Sequence, residues 1–289
     1  MKFVKKILHK FELHFTGSKV TEQTCSLHND DDVFAKNIAK IIDDVIWQRR
    51  SSKEKKWIQK IEDLRNRLNQ STVEVQITDF GARSSLISLT ADEMYKGAKI
   101  VKSIGEVSKS ASKPYIWDLL LLKLIRRFRP LVCLELGTSV GISAAYQAAA
   151  CKINKHGKVI TIEGAENIAS IALKNFEELK LDNIKVIIGR FQDVLKQTLI
   201  ENEPIDYVFI DGHHDENATL DYFKQIMPYL SDHALLIFDD IRWSDGMERA
   251  WNLINQHENI QLSINLTDLG ICVYTKSPKE QKKHFNISL

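Results

Sequence analysis

Cysteine is scarce in this 289-residue chain: Cys25, Cys133, Cys151 and Cys272 are its only four, and no two form a C-x-x-C pair. Their spacing argues against a zinc knuckle or a disulfide framework and fits a reducing compartment. Long apolar runs are missing as well. No stretch approaches the roughly 20 residues that a membrane-spanning helix needs, and charges interrupt every apolar run in Met1–Thr16, which excludes a secretory signal core. A cytoplasmic protein is the expectation. With 12 glycines and 5 prolines the chain has no collagen-like or low-complexity bias. The net charge of +2 is too small to argue for a nucleic-acid partner. Basic residues gather only locally, at Lys2, Lys5, Lys6 and Lys10 and at Arg49, Arg50, Lys53, Lys55 and Lys56, and solvated helix faces account for such runs.

What is present divides near residue 105. Before it, one strong helical periodicity runs from Val33 to Leu68: Ile38, Ile41, Ile42, Val45 and Ile46 mark a face that Trp57, Ile58, Ile61 and Leu64 continue after a charged break. A polar, poorly patterned stretch follows, with a β-like run at Val73–Ile77. Residues 1–105 therefore read as a helical accessory or lid region. From Pro114 onward, strands and helices alternate. Short apolar runs at Leu131–Leu136, Val159–Ile162, Ile184–Ile188, Tyr207–Ile210 and Ala234–Phe238 are separated by helical segments, as expected for parallel strands buried on both faces. Two last strands, Gln261–Asn265 and Ile271–Tyr274, flank a turn too short for anything but antiparallel pairing. The expected fold is α/β: a doubly wound, mostly parallel, seven-stranded sheet with a C-terminal antiparallel hairpin, spanning residues 106–289.

Ligands of such sheets bind at the carboxyl ends of the strands. The first strand ends in Glu135-Leu136-Gly137-Thr138-Ser139-Val140-Gly141. Gly137 permits a sharp turn with close backbone approach, and Gly141 lets the next helix start against the sheet. A dinucleotide fingerprint needs a glycine where Ser139 stands, which disfavours a nicotinamide oxidoreductase. Glu163, followed by Gly164, ends the second strand, where a carboxylate can accept both hydroxyls of a ribose. After the third strand, Phe191 and Gln192 are placed to hold a base, with core packing as the rival role for Phe191. The fourth strand delivers Asp211-Gly212-His213-His214 and the fifth Asp239-Asp240-Ile241-Arg242-Trp243. Three carboxylates converging on one sheet edge repel one another unless protonated, bridged by cations or metal-bound, and hard oxygen ligands suit Mg²⁺ or a similar divalent ion. The rival reading has Asp239 or Asp240 capping the next helix or pairing with Arg242.

In order and approximate spacing, these segments resemble class I S-adenosylmethionine-dependent methyltransferases of the catechol O-methyltransferase-like and bacterial family 3 group. The resemblance runs from about Lys113 to Tyr274. It implies S-adenosyl-L-methionine as cofactor, held by Glu135, Gly137, Thr138, Ser139, Gly141, Glu163, Gly164, Phe191, Gln192, Asp211 and His213, with His213 taking the place of an aromatic residue against the adenine. In metal-dependent relatives, acids at the positions of Asp211, Asp239 and Asp240 hold Mg²⁺. Two features depart from that pattern: Asp240 replaces an asparagine, and His214 stands where a lysine base is usual. An imidazole with an ordinary pKa near 6.5 suits a general base, so His214 and Asp211 are the expected catalytic pair. The expected acceptor is a small hydroxylated molecule and the expected assembly a homodimer. A tRNA or protein acceptor, using the N-terminal basic residues, and a non-catalytic scaffold are the alternatives.

Overall fold

The computed structural model describes residues 20–79, 98–278 and 281–289; Lys2, Lys5, Lys6 and Lys10 lie outside them. A helix α1 covers 20–29. The periodicity over Val33–Leu68 is two helices, α2 (Val33–Ile46) and α3 (Ser52–Gln70). The break falls in the polar Gln48-Arg49-Arg50 stretch, where Gln48 turns left-handed. Ser51 then starts α3 with a capping box: its hydroxyl accepts from the Glu54 amide, and the Glu54 carboxylate accepts from the Ser51 amide at 2.7 Å. The stretch after α3 is more ordered than its polarity foretold. Strands β1 (Glu74–Asp79) and β2 (Ala98–Ser103) pair antiparallel as a separate two-stranded sheet, and α4 (Ile104–Ala111) follows behind a second capping box, Ser103 with Glu106.

Helix α5 (Tyr115–Phe128) is buried from Trp117 to Ile125, including Asp118 and Lys123. These two charges have partners on α3: Arg65 pairs with Asp118, and Lys123 lies 3.1 Å from Glu54. Alternation then proceeds as expected through β3 (Val132–Leu136), α6 (Ile142–Asn154), β4 (Lys158–Glu163), α7 (Glu166–Leu179), β5 (Ile184–Ile188), α8 (Phe191–Asn202), β6 (Ile205–Ile210), α9 (Glu216–Ile226), β7 (Leu230–Phe238) and α10 (Asp245–Asn255), closing with β8 (Ile260–Asn265) and β9 (Gly270–Thr275). The sheet has eight strands, one more than expected, in the order β10-β8-β9-β7-β6-β3-β4-β5. The eighth, β10 (Lys283–Asn286), adds parallel to β8; its four polar-dominated residues carry no strand signal of their own.

Alternate residues along each strand face two hydrophobic layers. One layer joins Cys133, Val159, Tyr207 and Phe209 to α2, α3, α5, α6 and α7, and it runs from Val20 to Ile287. The other joins Leu134, Ile160, Val208 and Leu236 to α8, α9 and α10. No break in the first layer coincides with residue 105. Strand β3 pairs with β4 on one side and β6 on the other, so chain order reverses at β3 and the strand ends splay there to leave a crevice.

Candidate active site

The crevice is a cavity of about 220 Å³ at the carboxyl ends of β3, β4, β5 and β6. Gly137, Thr138, Ser139, Glu163, Gly164, Phe191, Gln192, Asp211, His213 and His214 all line it. At Gly137 φ is +103°, and a Cβ there would overlap the carbonyl of Asp211, so only glycine lets β3 and β6 end side by side. Gly141, which the resemblance assigns to the cofactor, lies off the cavity; φ is +87° and a Cβ would run into the Phe176 ring, so it lets α6 start against α7. Ser139, His213, His214 and Asp240 all adopt positive φ. Left-handed backbone at non-glycine residues is costly, and its clustering at four strand-end positions marks a site held against local preference.

Glu163 presents its carboxylate to the cavity. One oxygen accepts from the Ser139 amide at 2.8 Å and the other from the Ala165 amide at 2.9 Å, leaving each a lone pair for a ligand. Surrounding protein raises its pKa, and these amides, with that of Gly164, oppose the rise. Glu135 is placed differently from the sequence expectation. It is fully buried and off the cavity wall, and its carboxylate is taken up by Ser143, Gln147 and Thr161 at 2.7, 2.6 and 2.6 Å. Burial pushes its pKa up to about 7. Thr161 in turn meets the Thr138 hydroxyl at 2.6 Å, so Glu135 fixes the glycine loop from below. Phe191 sits in the first turn of α8 with its edge toward His213 and Tyr222. The His213 ring stacks on Tyr222 and meets its hydroxyl at 2.5 Å; burial lowers its pKa, keeping the ring neutral.

Asp211, Asp239 and Asp240 converge as expected, because the Asp211 amide bonds to Leu136 and the Asp239 amide to Ile210, continuing the ladder past the strands. The helix cap that might have claimed the acids is Ser244, whose hydroxyl accepts from the Met247 amide. What the sequence reading missed is Lys113. Its ammonium pairs with Asp239 and lies 3.5 Å from Asp240 and 4.0 Å from Asp211, with only 5% of the side chain exposed. His214 lies between Asp211 at 3.7 Å and Asp240 at 3.6 Å. Asp211, His214 and Asp239 have ligand atoms within 4.8 Å of one another, but a divalent ion there would share Asp239 with an ammonium already in contact. The residues present do not fit such an ion.

The family described as "Methyltransferase domain" matches residues 134–241, the span holding every cavity residue on the sheet side. Over that span the chain resembles a methyltransferase domain. The methyltransferase fold is shared with solved structures. The SAH-bound methyltransferase PaMTH1 of Podospora anserina is 17% identical, with a TM-score of 0.51, over 58% of this chain and 81% of that one. The O-methyltransferase TomG of Streptomyces achromogenes, involved in tomaymycin synthesis and solved with SAM, is 20% identical, with a TM-score of 0.50, over 58% and 82%. No curated protein matches the sequence. Ile77, Thr78, Ile100, Lys102, Val107 and Ser110, from β1, β2 and α4, complete the lining of the cavity. The second basic run, at Arg49–Lys56, includes Arg50, which donates to the Tyr115 hydroxyl at 2.8 Å. No helix among the described residues is long and apolar enough to cross a membrane.

Proposed function

We propose that the chain transfers the methyl group of S-adenosylmethionine to a hydroxyl of a small acceptor, with His214 as general base. The observation that carries this reading is one cavity in which the Glu163 carboxylate and the Asp211–His214 pair stand at separate strand ends. The cavity fits the cofactor by three features of this chain: the Glu163 oxygens each keep an acceptor site, the glycine at 137 keeps the wall bare, and the Ser139 hydroxyl is buried without a partner among the described residues. Glu163 would accept from the ribose hydroxyls, the amides after Gly137 would line the amino-acid end, and Phe191, Gln192 and His213 would enclose the adenine. When bound, the cofactor supplies an electrophilic methyl on a sulfonium. His214 would take the acceptor's hydroxyl proton at a ring nitrogen, and Asp211 and Asp240 would stabilise the resulting imidazolium. Strands β1 and β2, within the expected 1–105 lid region, and α4 across its boundary are proposed as cover for the cavity, which limits the acceptor to what fits beneath them.

Calorimetric titration with S-adenosylhomocysteine tests the cofactor assignment. Micromolar binding is expected, weakened about 10- to 100-fold by Glu163→Ala through loss of charge-assisted hydrogen bonds. Absence of heat with the native protein would overturn it. His214→Ala should then abolish transfer to a hydroxylated acceptor while leaving that titration unchanged.

A further inference from the structure

We infer that Lys113 is the resident cation of the Asp211–Asp239–Asp240 cluster and closes it to the divalent ion its acid pattern would otherwise take. Three carboxylates within reach of one point need positive charge, and burial makes the need stronger. The geometry supplies that charge from within the chain. The Lys113 ammonium contacts Asp239 and lies 3.5 Å from Asp240 and 4.0 Å from Asp211.

The backbone that carries Lys113 is fixed beside the cluster. Its carbonyl accepts from the Arg65 guanidinium at 2.5 Å, and the same guanidinium pairs with Asp118 one turn into α5. Pro114 follows directly and fixes the backbone before that helix. An ammonium withdrawn from the cluster would have to leave a buried position with three carboxylates around it. A metal bound to the same Asp239 carboxylate would stand within a few ångströms of the ammonium, where like charges repel strongly in a site shielded from water. The arrangement therefore selects one cation, and the tethered one is always present. Lys113 acts through Asp211 and Asp240, which flank His214, so it is a positioning residue.

For the reaction, this inference rests on the methyl-transfer reading above; for the cation, it rests on geometry alone. Titration with MnCl₂ followed by electron paramagnetic resonance separates the two. The native protein should bind no Mn²⁺ at this cluster in the micromolar range, and Lys113→Arg should behave alike. Lys113→Ala should gain one bound Mn²⁺ per chain, at least about 100-fold tighter than native, and Lys113→Ala/Asp239→Asn should lose it again. Micromolar Mn²⁺ binding by the native protein that Asp239→Asn abolishes would overturn the inference. So would a folded Lys113→Ala that gains no site. If Lys113→Ala does not fold, the native titration with its Asp239→Asn control still decides. S-adenosylhomocysteine binding measured on the same samples reports on the methyl-transfer reading independently, since its loss leaves the Mn²⁺ result standing.

Discussion

Gly137 shows how little freedom the strand ends leave. Its φ of +103° lies where side chains are strained, and the space a Cβ would occupy is filled by the Asp211 carbonyl rather than by a side chain that could yield. Gly137→Ala should therefore cost at least about 2 kcal/mol, combining left-handed strain with overpacking. Urea unfolding would register it as a lower midpoint with the slope unchanged; an unaltered midpoint would mean that β3 and β6 can part at no cost. Glu135 offers a contrasting case. The sequence reading gave it to the cofactor because it precedes the glycine loop, yet three side-chain donors on it from within the protein make it a support for that loop. A motif fixes a residue's place on the strand, but the side a strand residue faces follows from alternation. Leu134 and Leu136 face one layer with Glu135 pointing to the other, toward α6, where Ser143 and Gln147 meet it.

Helix α3 is tied to the site through the Arg65 guanidinium. Arg65 bonds the Lys113 carbonyl and pairs with Asp118, which is fully buried and has its pKa pushed up to about 7 by that burial, against the pull of Arg65. Arg65→Met would leave Asp118 without its counterion, a change that costs about 3–5 kcal/mol when the orphaned charge stays buried. Asp118 can escape that cost by taking up a proton, so the destabilisation should be larger near pH 8 than near pH 6, as urea unfolding at the two values would reveal. A pH-independent cost would show that Arg65 stabilises through its other contacts, such as the Lys113 carbonyl and Glu62, rather than through the Asp118 charge. This tie also explains what sequence could and could not convey. The parallel strands and their helices were legible because burial on both faces leaves continuous apolar runs, and the site acids were legible because they end those runs. Lys113 was not: it sits in a linker before α5, and only the fold brings it to Asp239 across 126 positions. The need for a cation beside three carboxylates was readable; which cation was not. Strand β1 was legible only as the β-like run at Val73–Ile77, while β2, α4 and β10 escaped because polar residues interrupt their patterns and the strand pairing is tertiary.

Across the whole molecule, buried acids and buried histidines act on stability in opposite senses as pH rises. Glu135 and Asp118 have folded pKa values of about 7, above the ordinary 4.5 and 3.8 of the unfolded chain. Between those limits the folded state holds more protons than the unfolded one, so stability falls as pH rises and levels off once both are ionised. Glu163 is raised as well and acts in the same sense. His213, His257 and His284 have pKa values lowered by burial from an ordinary 6.5. There the unfolded chain holds more protons, and stability rises with pH until about 6.5. Glu54 is lowered too, but its contribution is complete above about pH 5 and does not shape the profile near neutrality. Below about pH 6.5 the histidines oppose the buried acids; above it the acids alone remain. The melting temperature should thus fall by about 4 °C from pH 6.5 to pH 8. Glu135→Gln removes one of the groups responsible and should make that fall shallower. Differential scanning calorimetry over this interval would measure it. A melting temperature that climbs steadily to pH 8 in the native protein would mean that Glu135 and Asp118 are ionised in the fold, held by their hydrogen bonds and by Arg65 more strongly than burial pushes against them.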